Sequence, residues 1–286
     1  MNTISYLTAP YDFFVDFIAK EVFNHQQQQE YKTINDCCGN CFLSAKNNAL
    51  SEADIYFEKS VSLFESCQNK QWISALCMPN ISYYEYKTAN YELSIKHTNQ
   101  IIGSLKHLQK NSYPYLFFSE VQQHQNIGRI YFSMGMVSLA IDECVYCLSS
   151  IVEHSKSFHS TNMINEVSEL ELYKITQYPM TIQILSETCN KLIFCHQNDL
   201  AQIQYWLGDF IQQLSGLDFT SVSPDPRFKA IHTFIKLMAE ILTNDQGDFQ
   251  ENVLLFAKDP YADKMLLKIL FKYMNSAVQL PDQLSI

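Results

Sequence analysis

A segment of about twenty residues recurs along this chain, and that internal repetition restricts the fold more than any other feature. The clearest copy runs Asn126-Ile127-Gly128-Arg129-Ile130-Tyr131, then Gly135, then Leu139-Ala140-Ile141, then Cys144 and Cys147. A large apolar residue is followed by a small one, an aromatic, a small residue at a turn, then alanine, a core residue and another small side chain. This is the spacing of two antiparallel helices in close contact, because small side chains let two helix backbones approach. A second copy, Asn80-Ile81-Ser82, Ala89-Asn90-Tyr91, Ser94-Ile95 and Ile101, lies 46 residues upstream, counted from Asn80 to Asn126. A third shows mainly in its second helix, as Asn48, Ala53, Tyr56-Phe57 and Ser60, with Ala53 standing 41 residues before Ser94.

Composition agrees with helices. Only 7 glycines and 8 prolines occur in 286 residues, too few for the many tight turns of a sandwich, a barrel or a doubly wound sheet. Hydrophobic residues at 47% against charged residues at 17% exclude a disordered chain. The expected fold class is all-α.

The repeated pattern resembles the tetratricopeptide repeat (TPR) family. The resemblance covers residues 31–155 as three divergent TPR-like helix pairs. It implies a right-handed stack of antiparallel helix pairs, an α-solenoid, in which bulky residues fill the gap between successive pairs. The offsets here exceed the family period of about 34 residues, and long turns such as Asn111-Ser112-Tyr113-Pro114 take up the difference. Glu85 stands where an aromatic is expected, Pro79 sits where the first helix should already be running, and Cys37, Met78 and His124 occupy the tryptophan position.

Outside the repeats, residues 1–30 read as an N-terminal capping helix, with Tyr11 to Phe23 amphipathic. Residues 156–286 read as a C-terminal helical region with a break at 215–226. There Ile182, Leu185, Cys189, Leu192 and Ile193 recur at helical spacing, as do Ile203, Trp206, Leu207, Phe210 and Leu214. Asp225-Pro226 supplies a cap and then proline at the first helical position, opening a helix to about Leu242. Asp259-Pro260 repeats the device and opens a last helix to about Ala277. Its stripe of Met265, Leu266, Ile269, Leu270, Tyr273 and Met274 reads as core capping, with a homodimer or partner contact as the alternative.

Catalytic and metal chemistry find little support. The pairs Cys38-Gly39-Asn40-Cys41 and Cys144-Val145-Tyr146-Cys147 have C-x-x-C spacing, for which zinc and redox dithiols are the sharp readings. Yet Cys41, Cys144 and Cys147 fall on small or inward positions of the repeat, where cysteine acts as a compact hydrophobe, so packing is the preferred reading. Cys195 and His196 are adjacent and point about 100° apart on a helix, too far for a nucleophile–base pair. No phosphate-binding glycine loop and no nucleophile elbow occurs, so neither a cofactor nor a metal is expected.

The charge balance, 30 acidic against 20 basic residues with Arg129 and Arg227 the sole arginines, opposes nucleic-acid binding. No apolar run of membrane-spanning length occurs, and the start lacks a signal-peptide pattern, so no membrane partner is expected. Nine cysteines, an odd number, suit a reducing cytoplasm. Matching by position to the TPR family implies a concave groove lined by Phe42, Tyr83, Tyr86, Lys87, Gln122, Gln125, Arg129, Phe132 and Ser133. Such an aromatic, amide-rich lining suits a peptide or an amphipathic helix; the alternative is that these aromatics pack against the chain's own terminal helices. The family's carboxylate clamp is not reproduced, since its places carry Cys38, Pro79 and Gln125. The expected function is a non-enzymatic scaffold or adaptor for a peptide or protein segment. The alternative is a peptide-responsive intracellular regulator acting through protein contact.

Overall fold

The computed structural model describes residues 20, 22–110, 116–160, 167–195, 199–243 and 249–277. Among the described residues every regular element is helical. The chain divides into two compact units, residues 1–134 and 135–286. The boundary falls at a turn inside the third helix pair read from the sequence.

The first unit contains α1 (His25–Lys46), α2 (Leu50–Ser66), α3 (Lys70–Lys87), α4 (Tyr91–Lys110) and α5 (Phe117–Ser133). Helix α1 packs on α2, α3 on α4, α1 on α3, and α4 on α5. The glutamine run opens α1 ahead of residue 31: Gln27 N donates to Asn24 Oδ1 and Asn24 N to Gln27 Oε1, both at 3.0 Å. This reciprocal cap satisfies two otherwise unpaired amides. The expected helix from Tyr11 to Phe23 lies almost wholly outside the described residues.

Three turns carry the repeat. Asn48 (φ 59°), Ala89 (φ 61°) and Gly135 (φ 73°) have left-handed backbone conformations, and from 48 to 89 is 41 residues and from 89 to 135 is 46. These are the offsets of the sequence repeat. In the first two turns the amide three residues past the helix reaches back to close the end: Ala49 N donates to Ser44 O at 2.8 Å and Asn90 N to Glu85 O at 2.9 Å. A left-handed residue at this position is the common way to end a helix.

The small side chains of the pattern are buried. Cys41, Ser82 and Gly128 occupy equivalent places in α1, α3 and α5, and all three are buried. Ala53, Ser94 and Ala140 begin the following helices and each is 0% exposed. In the second pair the contact is hydroxylic. Ser82 Oγ lies 2.6 Å from Thr98 Oγ1 and 3.1 Å from Ser94 Oγ. Both residues belong to α4, so α3 and α4 approach to the distance of one hydrogen bond between short side chains.

The departures from the pattern are accommodated inside this packing. Helix α3 runs through Pro79, at the place where the repeat pattern has the first helix already running. Proline removes one amide donor from the helix ladder, but residues Trp72 to Cys77 are buried throughout the preceding turns, and tertiary contact holds the helix. Glu85 is 1% exposed. His97 Nδ1 of α4 lies 2.9 Å from its Oε2, while Oε1, at 2.8 Å, stands outside hydrogen-bond alignment. An acid–imidazole contact thus fills the place of the missing aromatic. A second buried carboxylate, Glu120 of α5, accepts from Gln109 Nε2 at 2.6 Å and pairs with Lys106 Nζ at 3.3 Å, fastening α5 to α4.

The second unit contains α6 (Val137–Ser160), α7 (Val167–Cys195), α8 (Leu200–Ser215), a 3-10 turn (Phe219–Ser221), α9 (Pro226–Leu242), α10 (Phe249–Lys258) and α11 (Lys264–Ala277). Helix α7 packs on α6, α8 and α11, and α9 packs on α8 and α10. The break read at 215–226 is the 3-10 turn, closed over the core by Phe219 and Val222, each 0% exposed. Asp225 caps α9 by accepting from Arg227 N at 3.0 Å, as the Asp-Pro signal predicts. The Asp259-Pro260 signal behaves differently. Asp259 accepts from Tyr261 N at 2.9 Å and makes a turn, and the last helix starts at Lys264 under Asp263, which accepts from Met265 N at 2.7 Å. Helix α10 has no counterpart in the sequence reading.

One polar cluster joins three helices of this unit. Tyr178 of α7 donates to Asp263 Oδ2 at 3.1 Å, and the Arg227 guanidinium lies 4.0 Å from the Tyr178 ring centroid. Asp225 accepts from the same guanidinium: its Oδ2 from Nε at 2.8 Å and from Nη2 at 2.5 Å, and its Oδ1 from Nε at 3.0 Å. The stripe on α11 is core: Leu266, Ile269, Leu270, Tyr273 and Met274 are all buried, and only Met265 is partly exposed.

Candidate functional site

The expected groove residues come from the first helices of the pairs in the first unit, α1, α3 and α5. Phe42 comes from α1, Tyr83, Tyr86 and Lys87 from α3, and Gln122, Arg129 and Ser133 from α5. Ser133 is exposed and the others are half-buried. Two residues are placed differently. Gln125 is 3% exposed and Phe132 8%, so both serve packing and present almost no surface to a partner. On a helix, Gln122 and Gln125 sit about 60° apart around the axis, enough to separate a face from the interior.

The aromatic members form a continuous row. The Phe42 and Tyr83 ring centroids are 4.7 Å apart, Tyr83 and Tyr86 are 5.9 Å apart, and Tyr86 and Tyr91 are 6.0 Å apart. These separations fall within the range of favourable edge and offset contacts, so neighbouring rings hold one another in place. Tyr86 Oη is 3.0 Å from Ser133 Oγ, a bridge from α3 to α5 across 47 residues of sequence. Ser133 Oγ in turn donates to Arg129 O at 3.1 Å.

Cations flank the row. Lys46 Nζ stands 5.7 Å from the Phe42 centroid, one helical turn further along α1. Arg129 Nη1 donates to Asn126 Oδ1 at 2.7 Å, which fixes the guanidinium beside the tyrosines. Burial pushes the Tyr83 hydroxyl above its ordinary pKa, the neighbouring Tyr86 adds to this, and the Arg129 charge opposes it. The phenol therefore stays protonated and available as a donor. Sequence reasoning missed Lys46, Tyr91 and Asn126. For Lys46 a signal was present, since it lies four residues after Phe42 and shares its helix face.

The opposite side of α3 is structural. The Tyr84 hydroxyl donates to Asp54 Oδ1 at 2.7 Å and its ring lies 4.7 Å from that of Phe57. Burial, and then the bond to Asp54, push the phenol up to about 12.

The C-x-x-C cysteines are interior. Cys38 and Cys41 are 0% exposed, Cys144 3% and Cys147 0%. Burial pushes the Cys38 thiol up to about 11 and the Cys41 thiol up to about 12. Nucleophilic attack needs the thiolate, so burial holds Cys38 and Cys41 in the less reactive thiol form. Among the described residues no group of three or more His, Cys, Asp or Glu is placed to hold a metal ion, and no helix is long and apolar enough to cross a membrane. Cys195 is exposed at the end of α7, and its neighbour His196 lies outside the described residues.

Set beside known protein families, curated proteins and solved structures, the chain finds no match in any of the three comparisons.

Proposed function

We propose that this chain is a non-enzymatic helical-repeat protein of divergent TPR type that binds a peptide or protein segment on the aromatic face of its first unit. The observation that carries the reading is the half-buried row Phe42–Tyr83–Tyr86, contributed by two successive first helices and joined to α5 through Ser133. Rigid aromatic rings offer large contact area for little conformational entropy, and their order here comes from the fold before any partner arrives. The hydroxyls and the flanking Lys46 and Arg129 supply donors, so the face favours an extended segment with backbone carbonyls or acidic groups to accept them.

The test is selection of binding peptides from a displayed random library with the wild-type protein, followed by measurement on Tyr83→Ala/Tyr86→Ala. Loss of at least about tenfold in affinity, equivalent to roughly 1.4 kcal/mol, with the melting temperature nearly unchanged is expected. Selected peptides that bind the double variant as well as the wild type would place recognition elsewhere. Unfolding of the double variant would assign the tyrosines to the protein's own packing.

A further inference from the structure

The aromatic row of the first unit is rich in hydrogen-bond donors, and no carboxylate lies along it. The Tyr83 and Tyr91 hydroxyls make no hydrogen bond among the described residues. The charged groups beside them, Lys46, Lys87 and Arg129, are donors without acceptor capacity. The carboxylates of the same helices point elsewhere. Glu30 and Asp36 of α1 stand twelve and six residues before Phe42, each about 120° from it round the helix. Glu85 of α3 is buried against His97, and Glu120 of α5 is buried against Lys106 and Gln109. Glu92, in the first turn of α4, lies about 100° round from Tyr91.

The rings of the row are inclined to one another. Interplanar angles from Phe42 to Tyr83, Tyr86 and Tyr91 in turn are 55°, 50° and 46°, with centroid steps of 4.7, 5.9 and 6.0 Å. Rings so tilted do not stack flat, so each neighbouring pair bounds a wedge. A polyproline II backbone rises about 3.1 Å per residue, so two of its residues match one step of the row.

In a step that rests on this face being the peptide site, we infer that it takes a proline-rich segment in polyproline II conformation with a carboxylate beside its prolines. Such a backbone has no internal hydrogen bonds and leaves its carbonyls open, while proline has no N–H to satisfy. An occupant that offers acceptors and few donors is the complement of a face that offers donors and no carboxylate. The apolar pyrrolidine rings fill the wedges between aromatic rings, and the preformed backbone loses little entropy on docking. The carboxylate meets Lys46 or Lys87 at the edge of the row. An α-helix fits less well, because its carbonyls are bonded within the helix and leave the tyrosine hydroxyls unmatched. Addition to a sheet edge needs a strand, and none occurs among the described residues.

The test uses the full chain and a labelled peptide of consecutive prolines with an aspartate at each end, followed by fluorescence anisotropy. One control peptide replaces the prolines by alanine, which favours a helix, and another replaces the aspartates by asparagine. The proline–aspartate peptide is expected to bind and to weaken as salt rises, and the alanine peptide to bind at least tenfold more weakly. Tyr83→Phe, which removes the hydroxyl and keeps the ring, should weaken the proline peptide about fivefold. Lys46→Gln/Lys87→Gln should weaken the aspartate peptide and leave the asparagine peptide unchanged, with the melting temperature unaltered in each variant. No binding up to about 1 mM, or equal affinity of the aspartate and asparagine peptides, would overturn the inference. So would equal binding of the alanine peptide, which would indicate a helical occupant, or unchanged affinity in Tyr83→Phe. Full binding by Tyr83→Ala/Tyr86→Ala would put the prolines on another surface and overturn it as well. If library-selected peptides lose affinity in that double variant while the proline peptide fails to bind the wild type, the peptide site stands and the proline assignment falls.

Discussion

The hydroxyls of Ser82 and Thr98 lie 2.6 Å apart at the center of the α3–α4 pair, and Thr98 Oγ1 is also 2.8 Å from the Ser94 carbonyl oxygen. Ser82→Ala leaves Thr98 with that carbonyl as a partner, so it should cost about 1 kcal/mol or less. Ser82→Leu instead forces the two helices apart and should cost on the order of 1–3 kcal/mol. Chemical denaturation of the two variants checks the ranking, and a Ser82→Leu protein as stable as Ser82→Ala would remove the close helix contact from the account.

The left-handed turns make a second prediction with opposite signs at two sites. Ala89 carries a Cβ at φ 61°, and an L-residue there costs about 1–2 kcal/mol, of which glycine recovers part after its own entropy loss. Ala89→Gly should therefore stabilise the protein by up to about 1 kcal/mol. Gly135→Ala should destabilise it by about 1 kcal/mol. A Cβ at Gly135 would meet nothing within 4 Å, so that loss is conformational rather than steric. Two melting temperatures moving in the same direction would contradict the shared turn geometry.

How much of this was legible in the sequence differs from residue to residue. The small positions were legible, because Cys41, Ser82 and Gly128, with Ala53, Ser94 and Ala140, keep their spacing whatever fills the rest of the helix. Asp225-Pro226 was legible because the cap and the fixed proline φ act within a single turn. Asp259-Pro260 has the same letters but precedes Asp263, a second cap that wins four residues later. The aromatic face was legible only to the resolution of a helix turn, which is why Phe42 and Tyr83 sit on it while Gln125 and Phe132 go inside. Partners far apart in sequence, such as Tyr86 and Ser133 or Glu85 and His97, leave no local signal.

The buried thiols make a prediction about pH. An unfolded cysteine loses its proton near pH 8.5, whereas burial holds Cys38 up to about 11 and Cys41 up to about 12. Between those values the folded state keeps protons that the unfolded state has released. Stability should thus be independent of these groups below about pH 8 and fall as pH rises above it. In Cys38→Ala/Cys41→Ala that alkaline decline should be shallower. At neutral pH, an aromatic disulfide reagent should label exposed Cys195 well before the eight buried cysteines. Rapid native labelling of Cys41, located by peptide mapping, would show that the first pair opens far more readily than its packing implies.

Glu85 supports the last prediction. Its carboxylate is 1% exposed, and the His97 ring, 28% exposed in its side chain, is the imidazole against it. Removing one partner of a buried acid–base contact costs about 3–5 kcal/mol, because the other is left buried without compensation. Partial exposure of the ring puts His97→Ala at the lower end, about 3 kcal/mol. Glu85→Leu/His97→Leu, which removes both partners and keeps side-chain volume, should be far milder than the single change, since an apolar pair of similar size often replaces an ion pair without loss. Tyr131 stands at the equivalent position of the next copy, so an apolar or aromatic residue is compatible with the packing there. The coupling is read from a double-mutant cycle by denaturant unfolding. Additive losses in that cycle would mean that Glu85 and His97 contribute independently and that the acid–imidazole contact does not hold α3 to α4.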